Sequence, residues 1–287
     1  MKLTLRNHAL DLGAKSYVMG ILNVTPDSFW DGGQYAAVEP AIRRAREMLA
    51  EGAALIDVGG ESTRPGSDFV PAEEEIRRIA PVVEELVGSL GIPISIDTRK
   101  ARVAREMLAR GAHMINDVSG LLFDPVMVEV AKEFDVPVVV MHMRGVPGTM
   151  QQMTGYGDVV SDVGRELAER VRYAEASGIN PENILVDPGI GFAKTAEQNV
   201  EILARLDEFA GLGKPIVIGP SMKSFMGKTL GLEPGDRREA TIACCVIAAT
   251  KGASILRVHD VAGVSKALAM FDHVRKMERP QTQKVDH

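Results

Sequence analysis

Eight short apolar runs rich in Val and Ile, most of them separated by amphipathic stretches, constrain this chain more than any other feature. The runs fall at 18–22, 54–58, 93–96, 113–115, 136–141, 184–186, 215–218 and 254–258. The stretches at 41–50, 73–87, 101–109, 125–134, 159–176, 197–206, 238–251 and 263–277 carry apolar residues at spacings of three and four, with charges on the other face. That is the pattern of a surface helix. Glycine often follows such a stretch, as at Gly52 and Gly111, where a left-handed residue closes a helix. Strands that alternate with helices pair in parallel. Eight such units in 287 residues predict an α/β fold, a single (β/α)8 TIM barrel, in preference to an open doubly wound sheet. Residues 1–16 alternate weakly and predict a short N-terminal hairpin; the barrel is expected over 17–277, followed by a polar tail at 278–287.

Charge removes some partners from consideration. With 33 basic against 39 acidic side chains, the net charge is −6, which gives no basis for nucleic-acid or membrane binding through bulk charge. No apolar stretch reaches the roughly 18 residues of a membrane span. The first residues lack the apolar core of a signal peptide, so the expected location is cytoplasmic. Cys244 and Cys245 are adjacent in an apolar run and read as small core residues of a buried helix. No Cys/His spacing points to zinc.

The ends of the apolar runs hold the chemistry. A barrel gathers its functional groups at the C-terminal ends of its strands. Here those ends carry Asn23, Asp57, Asp97, Asn116 with Asp117, His142, Asp187, Ser221 with Lys223, and Arg257 with His259 and Asp260. One aspartate at such a place is as readily a helix cap or turn residue. Polar groups at all eight ends predict a shared polar pocket. The carboxylates of Asp97 and Asp187 and the amide of Asn116 suit a heterocycle with N–H and C=O groups. Arg257, His259 and Lys223 supply positive charge for an anion such as phosphate. The residues alone therefore predict a barrel enzyme for a heterocycle that carries a phosphate-type group.

Two long polar loops, 23–33 and 59–67, are expected to act as lids over the mouth. The segment 187–195, Asp-Pro-Gly-Ile-Gly-Phe-Ala-Lys-Thr, lacks the glycine spacing of a P-loop and is not one. The segment 219–225 leads into a helix, whose N-terminus beside Ser224 offers an anion site.

In order along the chain these segments resemble the dihydropteroate synthases, the family that joins a pterin to p-aminobenzoate in folate synthesis. The matching motifs are Asn-Val-Thr-Pro-Asp-Ser-Phe (23–29), Gly-Glu-Ser-Thr-Arg-Pro-Gly (60–66), Ser-Ile-Asp-Thr (95–98) and Asn-Asp-Val-Ser-Gly (116–120). Then follow Met-His-Met-Arg-Gly (141–145) with Pro147 and Thr149-Met-Gln, Asp-Pro-Gly-Ile-Gly-Phe (187–192), Ser-Met-Lys-Ser-Phe (221–225) and Arg-Val-His-Asp (257–260). The resemblance implies that Asp97, Asn116, Asp187 and Lys223 hold the pterin ring, with Met141 against its face. It implies that Asn23 helps place a magnesium ion, and that Asn23, Thr63, Arg257 and His259 bind the diphosphate. It implies a p-aminobenzoate site among Thr63, Arg64, Pro65, Phe192, Lys223 and Ser224, open to sulfonamide mimics. Asp97, Asp187 and Lys223 are the implied catalytic set, and a homodimer is implied, with 241–249 as a candidate contact.

The chain departs from the family at Met222, where arginine is usual, which removes a fixed cation beside the p-aminobenzoate end. Trp30 and Ala193 stand where serine and glycine are more usual. Two rivals share the barrel: a pterin-dependent methyltransferase, and a pterin-binding barrel without catalysis. The Thr-Arg-Pro loop and the 221–224 segment speak against the first. Asn23, Asp97, Asp187, Lys223, Arg257 and His259, all intact, speak against the second, whose only support is Met222.

Overall fold

Two four-residue strands, β1 (Lys2–Leu5) and β2 (His8–Asp11), pair antiparallel as the expected hairpin. A lone hairpin is marginal in water. This one is anchored because Leu3, Leu5 and Leu10 are buried in one cluster with Met19, Leu55, Met114, Val139, Leu185, Val217 and Ile255. The computed structural model describes residues 1–13, 15–25, 38–63 and 66–277. The expectations placed on the first loop beyond Thr25, on Trp30, on Arg64 and Pro65, and on the tail 278–287 lie outside the described residues.

The chain continues as β3 (Tyr17–Asn23), α1 (Val38–Ala50), β4 (Leu55–Gly59), α2 (Ala72–Ser89), β5 (Ile94–Asp97), α3 (Ala101–Ala109), β6 (Met114–Asp117), α4 (Met127–Phe134) and β7 (Val138–Met141). Then come α5 (Val159–Ala176), β8 (Ile184–Asp187), α6 (Ala196–Ala204), β9 (Ile216–Ile218), α7 (Ser224–Leu230), α8 (Arg238–Thr250), β10 (Ala253–Val258) and α9 (Val261–Met277). β3 to β10 are parallel and close into a barrel in which β10 pairs with β3. All eight predicted runs are strands of this barrel. The stretch expected to be helical over 197–206 ends as α-helix at Ala204, and a 3-10 segment, Leu206–Leu212, follows. Among the described residues no helix is long and apolar enough to cross a membrane.

Successive residues of a strand face opposite sides of the sheet. One set, such as Ile56, Val58, Ile94, Ile96, Val138, Val140, Val186 and Ile218, joins the layer between strands and helices. The alternate set faces the barrel interior, and its lower members form the cluster that the hairpin closes. Helix ends are fixed locally. Asp158 caps α5 by accepting from Ser161 N at 2.7 Å, and Thr195 caps α6 in a capping box with Gln198. Cys244 and Cys245 lie on α8 as free thiols, Cys245 buried and Cys244 partly so.

Candidate active site

Two residues above the apolar layer, the interior positions turn polar. Asp57 follows Leu55 on β4, Asn116 follows Met114 on β6, Asp187 follows Leu185 on β8, and Arg257 follows Ile255 on β10. On β5 the interior pair is Ser95 and Asp97. Register sets them side by side, with Asp97 opposite Asn116 and Met141 opposite Asp187.

The centre of the layer is an ion network. Arg257 donates through Nε to Asp57 Oδ2 at 2.6 Å and through Nη2 to Asp97 Oδ2 at 2.5 Å. Asn116 Nδ2 donates to the same Asp57 oxygen at 2.9 Å. Asp57 is fully buried, and Asp97 and Asn116 nearly so. Asp57 Oδ1 and Asp97 Oδ1 are buried with no hydrogen-bond partner. A buried oxygen without a donor is costly, and such a group in a native fold calls for a ligand or a functional reason. Burial pushes the Asp97 carboxyl up to about 7; Arg257 opposes the shift and Asp57 adds to it. Burial works against the charge of Arg257, but Asp57 and Asp97 carry its pKa above the ordinary arginine value.

Asp187 lies beside this network. Its Oδ1 accepts from Gly189 N at 2.7 Å, and burial raises its pKa against that bond and the charges of Lys223 and Lys194. Lys223 closes the layer from the β9 side. Its Nζ donates to the Ile190 carbonyl and sits 4.4 Å from the centre of the Phe192 ring, a cation–π distance. Burial lowers its pKa to about 8, with Asp187 opposing. Gly191 makes this approach possible. Its φ is +83°, and a Cβ there would stand 2.8 Å from Lys223 Cδ. Met141 and Phe192 belong to one apolar cluster with Val118, Met143, Met150 and Ala193, which gives the polar layer an apolar wall.

Above these groups, Ser221 Oγ meets His259 Nδ1 at 3.0 Å. Asn23, the last residue of β3, and Thr63, at the end of its described segment, are half-buried. Ser224 is exposed as the first residue of α7. Met222 has φ +57°, and its sulfur lies 3.8 Å from the Thr241 hydroxyl of α8.

Three expected pocket groups face elsewhere. His142 comes one residue after the interior Met141, so it turns to the helix side, fully buried between Glu166 Oε2 at 2.9 Å and Lys194 Nζ at 3.0 Å. Asp117 follows Asn116 in the same way and shapes its own loop, accepting from Ser119 and Leu121. Asp260 turns to the start of α9, accepting from Gly263 N at 3.1 Å and Arg238 Nε at 2.7 Å. Sequence reasoning gave Asp57 no role of its own, although it anchors Arg257. It passed over Lys194, which carries no motif signal beyond its place in the 187–195 loop.

Among the described residues no group of three or more His, Cys, Asp or Glu side chains gathers to hold a metal ion. Asn23 offers one neutral oxygen donor. That set fits a magnesium ion held mainly by substrate phosphates and water, as this ion commonly is, better than a resident ion caged by protein.

The pattern of the pterin binding enzyme family matches residues 19–259. A curated relative, the dihydropteroate synthase of Synechocystis, is 47% identical over 263 residues, 91% of each chain. The Xanthomonas albilineans dihydropteroate synthase solved with 4-aminobenzoic acid superposes with a TM-score of 0.90 at 44% identity, over 96% of this chain and 99% of that one. The Yersinia pestis dihydropteroate synthase, solved as a sulfonamide drug complex, also gives 0.90, at 43% identity over 96% of this chain and all of that one.

Proposed function

From the premise that the chain belongs to the pterin-binding enzyme family, as a dihydropteroate synthase, we propose how its own residues carry out that reaction. The substrates are 6-hydroxymethyl-7,8-dihydropterin diphosphate and p-aminobenzoate, and the products 7,8-dihydropteroate and diphosphate. The observation that carries the reading is the buried layer of Asp57, Asp97, Asn116 and Arg257 with its two unpartnered carboxylate oxygens.

Asp97, Asn116, Asp187 and Lys223 hold the pterin ring, and Met141 packs against its face. Donors on the ring edge satisfy Asp97 Oδ1 and favour its anionic form. Asn23, Thr63, Arg257 and His259 take the diphosphate. Arg257 uses Nε and Nη2 on carboxylates, and Nη1 remains to meet the anion. Asn23 would help hold a magnesium ion that arrives with the diphosphate, and that ion would supply positive charge to the diphosphate oxygens.

As the diphosphate leaves, positive charge develops on the pterin methylene and spreads into the ring. Asp97 and Asp187 stabilise it from fixed positions in a site of low dielectric. The aniline nitrogen of p-aminobenzoate is neutral at pH 7 and attacks without a protein base. Thr63, Arg64, Pro65, Phe192, Lys223 and Ser224 hold p-aminobenzoate, and sulfonamides compete there. The reaction needs water kept from the cation until the amine attacks.

The active unit is a homodimer. Supporting this, Ile247 on α8 and Met270, Val274 and Met277 on α9 are exposed apolar side chains, and α8 packs beside α9. Thr241, Cys245, Ala248 and Ala249 face the chain's own core, so only the outer face of 241–249 is open to a partner. The two free thiols suit the reducing cytoplasm.

Chromatographic assay of dihydropteroate formation by the wild type and by Lys223→Ala tests the reading. Turnover by the wild type and a loss of about 100-fold or more in the variant are expected. Equal turnover in both would remove Lys223 from the catalytic set.

A further inference from the structure

Lys194 is 3% exposed, and its Nζ meets three groups: His142 Nδ1 at 3.0 Å, the Gly189 carbonyl at 3.0 Å and the Phe192 carbonyl at 2.9 Å. The two carbonyls only accept. The role of the histidine nitrogen is fixed from its far side. His142 Nε2 lies 2.9 Å from Glu166 Oε2, and Glu166 also accepts from Arg144. The His142 bond, ahead of the opposing effect of burial, and Arg144 hold the Glu166 carboxyl well below the usual range, so it is an anion that only accepts. His142 must therefore donate from Nε2, which leaves a lone pair on Nδ1. Burial also holds His142 neutral, pushing its pKa to about 3. Lys194 then faces three acceptors, which match the three N–H donors of an ammonium. A neutral amine has two donors and would leave one buried acceptor empty. Burial pulls the lysine pKa well down, while Asp187 and Glu166 draw it back up.

The loop that Lys194 grips is tied at every carbonyl from 189 to 193. Lys194 takes 189 and 192, Lys223 takes 190, Gln151 takes 191 and the Tyr156 hydroxyl takes 193. The same loop bears Phe192, whose ring faces the Lys223 ammonium. One lysine thus holds the loop from the pocket and the other from behind it.

We propose that Lys194, kept as an ammonium by a Glu166–His142 relay, is a positioning residue for the p-aminobenzoate end of the site, clamping the loop that presents Phe192 and the Ile190 carbonyl to Lys223. This rests on the roles given above to Phe192 and Lys223. Lys194 touches no substrate and acts through the loop.

The test has two arms. Nitrogen NMR of the wild type, labelled in histidine, reads the relay directly: His142 is neutral and protonated on Nε2 at pH 7. An imidazolium, or a proton on Nδ1, overturns the relay, whether or not the enzyme turns over. Kinetics read the positioning. Lys194→Met and His142→Leu each raise the KM for p-aminobenzoate about tenfold or more, with a smaller change in kcat and in pterin affinity. His142→Gln keeps one acceptor and one donor without a titrating ring, and recovers most of that KM. Folded Lys194→Met with an unchanged KM overturns the clamp. So does a His142→Gln variant as impaired as His142→Leu. If Lys194→Met and His142→Leu do not fold, His142→Gln is read against the wild type: a KM for p-aminobenzoate within a few-fold of it is expected, and one raised about tenfold or more overturns the clamp. A wild type that makes no dihydropteroate would instead fail the functional reading and leave the tautomer result standing.

Discussion

Arg257 on β10 reaches past the intervening strand β3 to Asp57 on β4, with Nε and Oδ2 2.6 Å apart. Asp97 on β5 shares the same guanidinium at 2.5 Å. One cation therefore offsets two buried carboxylates from neighbouring strands.

Removing that cation is expected to be costly. Arg257→Met leaves both carboxylates uncompensated and should lower stability at pH 8 by about 3–5 kcal/mol in urea denaturation. The loss should shrink at pH 5, where Asp97 can take a proton. A loss below about 1 kcal/mol, as for an exposed pair, would mean that the network does not act as a buried unit.

Asp97 sets a pH dependence with a definite sign. Its folded pKa is raised to about 7, above the unfolded value near 3.8. The native state then binds the proton more tightly, so this residue's contribution is full below the unfolded value and is lost as pH rises through about 7. Wild type should lose stability relative to Asp97→Asn between pH 5 and pH 8. Pterin binding favours the anion, so it should release a proton near pH 7, measurable by calorimetry in buffers of different ionisation enthalpy. Equal proton release in wild type and Asp97→Asn would assign the titration elsewhere.

Gly191 is a lever on Lys223. Gly191→Ala places a methyl against Lys223 Cδ at a φ of +83°, where an L-residue costs about 1–2 kcal/mol. The expected result is a folded protein with a raised KM for p-aminobenzoate. An unchanged KM in a folded variant would show that the Lys223 position is not limiting.

The barrel was legible because strand and helix periods differ, and all eight runs proved to be strands. The candidate site was legible by residue type, as the polar strand ends, but less so by direction. Asn116 and Asp117 are both polar and adjacent, and only the two-residue period of the strand decides which faces inward. The same period turns His142 outward beside Met141. Counting in twos from Leu185 to Asp187, or from Ile255 to Arg257, would have sorted inner from outer groups. Lys194 was not legible in this way. His142, and Glu166 beyond it, lie 52 and 28 residues away in sequence, and the pairing of β7 with β8 is what brings their loops together.

Met222 tests the departure from the family. The residue packs its sulfur toward Thr241, in a left-handed backbone that leaves the family's usual arginine no worse placed than methionine. Met222→Arg is expected to lower the KM for p-aminobenzoate, and to strengthen sulfonamide inhibition, by a few-fold, or about 1 kcal/mol. The gain should fade with added salt. Unchanged values for both ligands would show that the lost cation has no role.

The most direct test of the central claim is diphosphate release, followed with dihydropterin diphosphate, magnesium and p-aminobenzoate, each omitted in turn. Sustained release is expected with all three present, in equal amount to the dihydropteroate formed. Pterin binding without turnover under those conditions would contradict it.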